Sequence, residues 1–124
     1  MFGEFFYRPR EGQNIDREAD WVEKNIVRAD VALLGSFKCH RILVPALAGA
    51  MQELIALDLE FLIDQAQFRG CDNPRFIAGG RGLSRHAWGA AVDLNYGLKI
   101  ASDPRLIAVM ERWGFTSGHD WLIP

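Results

Sequence analysis

Ser84-Arg85-His86-Ala87-Trp88-Gly89-Ala90-Ala91-Val92-Asp93-Leu94-Asn95 is the stretch on which the reading of this chain turns. It joins a histidine to a carboxylate seven positions on, across residues that are small apart from Trp88 and Val92. Ala90-Ala91-Val92-Asp93-Leu94 reads as a strand whose two-residue period puts Ala91, Asp93 and Asn95 on one face and Val92 and Leu94 on the other. An imidazole nitrogen and a carboxylate oxygen are both good zinc ligands. A catalytic zinc typically takes three protein ligands and leaves a fourth position for water. On spacing alone, a structural hydrogen bond between His86 and Asp93 is the simpler account.

Immediately upstream, Ala78-Gly79-Gly80-Arg81-Gly82-Leu83-Ser84 fits neither GxGxxG nor GxxxxGK[ST], so these glycines read as a connection that brings His86 beside the strand, not as a phosphate loop. Further upstream, Arg69-Gly70-Cys71-Asp72-Asn73-Pro74 reads as a turn-rich connection, and Phe61-Leu62-Ile63 as the start of another strand. The surest helix begins at Val44: Leu47, Ala50, Met51, Leu54 and Ile55 recur at three- and four-residue spacing, with Pro45 tolerated in the first turn. Some element begins near Trp21. Residues 1–20 show no period and are expected to form an N-terminal arm or surface loop.

Downstream, Asp103 is an N-cap followed by Pro104 at the first helical position. Leu106, Ile107, Val109, Met110 and Trp113 then repeat helically, with Trp113 expected in the core, until Gly114 ends the helix. The elements add up to an α+β domain with helices packed on a small antiparallel sheet.

The 124 residues fit one domain, and 49% hydrophobic with 24% charged residues is ordinary globular composition. No apolar run is long enough to span a bilayer, and a soluble domain is expected. A net charge of −2 with no dense cluster of Lys and Arg disfavours nucleic-acid binding. The start, Met1-Phe2-Gly3-Glu4-Phe5-Phe6-Tyr7-Arg8, does not read as a secretory signal. Cys39 and Cys71 permit one disulfide at most; their spacing of 32 residues matches no zinc or redox pattern, free, partly buried thiols are the expected state, and the redox compartment stays open.

Ser84, His86, Gly89, Ala91 and Asp93 reproduce the SxHxxGxAxD signature of the M15 family of zinc peptidases, which includes D-alanyl-D-alanine carboxypeptidases and dipeptidases and phage L-alanyl-D-glutamate endopeptidases. The resemblance extends to Asn73-Pro74-Arg75, where the family places an arginine. It continues in Arg112-Trp113-Gly114-Phe115 with Gly118-His119-Asp120-Trp121, similar to the family's WGF…GGDW ending, and so covers roughly residues 21–124.

The resemblance implies the fold shared by D-Ala-D-Ala peptidases and the Hedgehog amino-terminal domain. It implies hydrolysis of a peptide bond in peptidoglycan stem peptides, of D-Ala-D-Ala carboxypeptidase type, in the periplasm or cell wall or by a phage endolysin. It also implies roles: His86 and Asp93 as zinc ligands, Arg75 steadying the carbonyl oxygen as it gains charge, Ser84 supporting the ligand loop or contacting the peptide, Trp121 lining the groove from a loop, and Asp120 behind a ligand histidine.

The family's DxxH or ExxH element, which carries the third ligand and the general base, does not appear before Pro124. One expectation is a chain cut short of that element; the other is that His119, standing where the family has glycine, is the third ligand. His40 reads as a surface residue or one at the start of the long helix. The competing function is a non-catalytic module that binds wall peptide or a partner through a degenerate metal site. A plainer one is a domain without metal, in which His86 and Asp93 merely hydrogen-bond.

The role implied for Arg75 has a measurable signature. Loss of one donor to a developing oxyanion costs about 10²–10³ in turnover. Arg75→Ala is expected to keep the melting temperature and zinc content while hydrolysis of a D-alanyl peptide falls by that factor; full activity would remove Arg75 from the mechanism.

Overall fold

A fourteen-residue helix organises the molecule. In the computed structural model, which describes residues 2–12, 14–68, 70–72, 85–95, 98–116 and 121–122, this helix is Leu43–Ala56. Its Leu43, Leu47, Ala50, Met51 and Leu54 are buried, as the helical period demands, while Ile55 at the stripe's margin is exposed. Burying each leucine or methionine side chain contributes about 1.5–3 kcal/mol. One side of the helix meets an antiparallel hairpin and another meets a second long helix.

In chain order the elements are β1 (Tyr7–Pro9), β2 (Ile15–Arg17), α1 (Ala19–Asn25), β3 (Ile26–Val31), β4 (Gly35–His40), α2 (Leu43–Ala56), β5 (Ala91–Val92), α3 (Pro104–Arg112) and β6 (Trp121–Leu122), with short 3-10 turns between them. The strands pair as three two-stranded antiparallel sheets, β1 with β2, β3 with β4, and β5 with β6. The chain is therefore an α+β protein with small antiparallel sheets. No helix among the described residues is long and apolar enough to cross a membrane.

The β3–β4 hairpin runs in register from Ile26↔His40 to Val31↔Gly35. Ala29, Val31, Phe37 and Cys39 face the core and alternate with exposed Arg28, Asp30, Ser36 and Lys38. Leu33 and Gly35 take positive φ in the turn. At the other end, Asp103 caps α3 by accepting from the Arg105 N–H at 2.9 Å. The Arg105 side chain bonds the same carboxylate and, with the cap, holds its pKa down to about 2. Leu106, Val109 and Met110 of α3 join α2 in one core with Phe115 and Trp121.

Four expectations are corrected. Residues 60–62 form a 3-10 turn, not a strand. Asp58 enters the left-handed region at φ 56° and turns the chain out of α2. The N–H groups of Leu62 and Ile63 bond three residues back, to the Leu59 and Glu60 carbonyls, while Asn95 donates to the Leu62 carbonyl at 2.6 Å and accepts from the Asp64 N–H at 2.7 Å. Part of the N-terminal arm is a hairpin, β1–β2, whose Ile15 is buried against Ala87 with Phe5 and Trp88 alongside.

Trp113 is 40% exposed rather than core. Its indole lies across Gly49 of α2, where any Cβ would collide with the ring, and its Nε1–H donates to Glu53 at 3.1 Å. Finally, Cys39 and Cys71 are not free thiols. They form a disulfide with Cα atoms 4.9 Å apart, fully within the core. The link closes a loop of 32 residues, which in the chain-entropy account stabilises by about 3–4 kcal/mol. Cys71→Ser is expected to lower the unfolding free energy by about that amount, measured by denaturant titration under oxidising conditions; an unchanged midpoint would mean the thiols do not pair in solution.

Candidate metal centre

Gly89 begins the site because only glycine suits its place. Its φ is +65°, and an added Cβ would lie 2.8 Å from the His40 backbone nitrogen. That contact lets the Gly89 carbonyl accept from the His40 N–H at 2.9 Å, while the Gly89 N–H closes the turn onto the His86 carbonyl at 3.0 Å. Ala87, Ala90 and Ala91, almost wholly buried, have no room for larger side chains. The small residues of the motif thus seat a 3-10 turn, Arg85–Trp88, tightly against β4.

That turn carries His86, 2% exposed, and β5 after it leads directly into Asp93, which bridges to Gly70 through its N–H. Val92 and Ala91 pair with Trp121 and Leu122. Ala91 and Val92, which point to opposite faces of β5, are both fully buried, and Asp93 is mostly buried rather than on an open face. His86 Nε2 and Asp93 Oδ2 stand 3.3 Å apart.

The other ring nitrogen, Nδ1, lies 2.9 Å from the Cys71 carbonyl oxygen. A carbonyl only accepts, so Nδ1 is the donor, and in the neutral ring Nε2 then presents a lone pair. A lone pair facing a carboxylate is repulsive unless a cation, either a proton or a metal ion, lies between them. Two ligands at the usual zinc distances in tetrahedral geometry are about 3.3–3.5 Å apart, which is the separation found. A ring held by an N–H to carbonyl bond is also the usual arrangement of a metal-bound histidine. The donor pair fits a zinc ion. Among the described residues no third His, Cys, Asp or Glu joins it.

A second set of contacts was invisible in the sequence. Arg17 of β2 donates to Asp72 through Nη1 at 2.6 Å and Nη2 at 3.1 Å, and Nη1 also donates to the Ala87 carbonyl at 3.0 Å. Both side chains are nearly buried, at 8% and 10% exposure. The partners lie 55 and 70 positions from Arg17, so no local spacing could have indicated them.

Of the other residues expected at the site, Arg75, Ser84, His119 and Asp120 lie outside the described residues. Trp121, expected on a loop, belongs to β6 and packs in the core at 7% exposure. Comparisons with protein-family models, with curated proteins and with solved structures returned no match.

His40 sits at the start of α2 as one reading had it, but it is fully buried, not at the surface. Its Nδ1 accepts from the Ile42 N–H at 3.2 Å, and its Nε2–H donates to the Phe2 carbonyl at 3.0 Å. The ring is thereby fixed as neutral. Burial lowers its pKa below the ordinary 6.5, outweighing the opposing effect of the Phe2 carbonyl, and the Arg41 charge lowers it further.

The unfolded chain therefore takes up this proton at higher pH than the folded one. Stability should be full above about pH 6.5 and decline as pH falls through the window between 6.5 and the lower folded value. Melting temperatures taken from neutral to acidic pH should show this slope in the native protein and a shallower one in His40→Gln; equal slopes would rule His40 out.

Proposed function

We propose that this chain is a zinc-dependent peptidase that hydrolyses a peptide bond in bacterial peptidoglycan stem peptides, of D-Ala-D-Ala carboxypeptidase type, on the fold shared by those enzymes and the Hedgehog amino-terminal domain. One observation carries the reading: His86 Nε2 and Asp93 Oδ2 are 3.3 Å apart, with the far nitrogen of His86 donating to the Cys71 carbonyl. This geometry supports reading the two side chains as a metal-ligand pair, with the Cys71 carbonyl as the supporting bond. The SxHxxGxAxD spacing supports the family, and the disulfide supports a periplasmic or cell-wall location, where such bonds persist.

In this proposal His86 and Asp93 hold the ion, and His119 is the candidate third ligand. His119 is two positions along the chain from Trp121, which pairs with Val92, the residue before Asp93. When bound, zinc polarises the scissile carbonyl and brings the pKa of water to about 7. The resemblance gives Arg75 the role of offering its guanidinium to the carbonyl oxygen as charge develops there, and Ser84 that of supporting the ligand loop or contacting the peptide. The Cys71 carbonyl keeps the His86 ring in the tautomer that turns the Nε2 lone pair toward Asp93.

Elemental analysis of purified protein is expected to find about one zinc per chain, lost in His86→Ala and in Asp93→Ala and weakened in His119→Ala. Protein that stays metal-free at micromolar zinc would overturn the reading. Zinc binding without hydrolysis of a muropeptide would instead establish the non-catalytic wall-peptide module.

A further inference from the structure

Among the described residues of the β1–β2 hairpin, Arg17 is the one whose charge is buried beside the His86 segment. Its guanidinium reaches two stretches of chain at once. One is Cys71-Asp72, where it bonds the carboxylate of Asp72; the other is His86-Ala87, where it bonds the carbonyl of Ala87. The neighbours of those two partners, Cys71 and His86, are joined by the Nδ1–H to carbonyl bond at 2.9 Å. The contacts form a closed ring: Arg17 to Asp72, along the chain to Cys71, across to the His86 imidazole, along the chain to Ala87, and back to Arg17.

We propose that Arg17 is a positioning residue for the metal centre, setting the distance between residues 71–72 and 86–87 and so holding His86 in its Nδ1–H tautomer with Nε2 toward Asp93. The proposal rests on the zinc reading above for its functional meaning, although its structural content does not. A planar fork with five N–H donors can span both segments, whereas an ammonium on a flexible stem cannot reproduce that geometry. A surface ion pair would lack this consequence because it would be screened and free to part. Here both partners are withdrawn from water, and the bidentate geometry fixes direction as well as distance.

Arg17→Ala would strand the Asp72 carboxylate in the interior and invites unfolding, so two milder variants carry the test. Arg17→Lys keeps the charge and loses the fork; Asp72→Asn keeps the size and loses the charge. Each is compared with the native chain in two measurements: the His86 ring tautomer, from two-bond proton–nitrogen spectra of metal-free protein at alkaline pH, and the affinity for zinc.

The native chain should show the Nδ1–H tautomer alone. The variants, folded by circular dichroism, should show a mixture with the Nε2–H form and bind zinc about 10–100-fold more weakly, the usual effect of losing support behind a metal-bound histidine. A folded Arg17→Lys or Asp72→Asn that keeps both the tautomer and the affinity would overturn the proposal and leave the zinc reading standing. A shifted tautomer in the variants of a chain that takes up no zinc would uphold the positioning role and overturn the zinc reading.

Discussion

Cys71 is held twice, by its sulfur to Cys39 in β4 and by its carbonyl to the imidazole of His86. Much of the architecture around the site depends on that double attachment. The disulfide anchors the segment at Cys71-Asp72 to the largest hairpin, β3–β4, which itself lies on α2. The carbonyl then transmits this anchoring to a histidine fifteen positions away in sequence. A covalent bond and a buried hydrogen bond meeting at one residue leave that residue little freedom, and His86 inherits the restriction.

Around this attachment the chain meets a packing constraint and a polar one. The packing constraint is the close approach of the His86 turn to β4, possible because Gly89 has no Cβ and its alanine neighbours have almost none. The polar constraint is that nearly every buried polar side chain must find partners. Asn95 meets it by serving both the Leu62 carbonyl and the Asp64 N–H. His40 meets it by bonding Ile42 and Phe2, and Arg17 and Asp72 meet it by pairing with each other. The β1–β2 hairpin closes the arrangement, with Ile15 packed against Ala87 and Arg17 bonded to the Ala87 carbonyl.

The proposed chemistry follows from charge and direction. An imidazole that donates from Nδ1 turns a lone pair toward a carboxylate, and that pair of atoms calls for a cation between them. Burial makes the demand stronger, because the attraction of a cation for both atoms rises as water is excluded. The same low-dielectric setting makes the Arg17–Asp72 pair sensitive to the loss of either partner.

What the sequence by itself determined was whatever depends on near neighbours. The three- and four-residue period of Leu47, Ala50, Met51 and Leu54 marked α2. Asp103-Pro104 marked the start of α3, and the small residues before Asp93 marked β5, so the α+β class was legible. The nearness of His86 to Asp93 also belongs here, since a short turn and strand join them.

The tertiary structure decided what depends on partners far along the chain. Cys39 and Cys71 gave no spacing signal, yet the fold brings their Cα atoms to 4.9 Å. Phe61-Leu62-Ile63 had strand composition, but its Leu62 and Ile63 N–H groups bond three residues back and its Leu62 carbonyl accepts from the distant Asn95. Trp113 and Trp121 exchanged expected places, because one lies on the edge of α2 at Gly49 and the other pairs with β5. In the β3–β4 hairpin the alternation of Ala29 and Val31, then Phe37 and Cys39, was written in the chain, but it became decisive only against α2. Periodicity and capping are local energies that a sequence carries with it, whereas a disulfide, a buried ion pair or a tautomer is settled by which atoms are brought within reach.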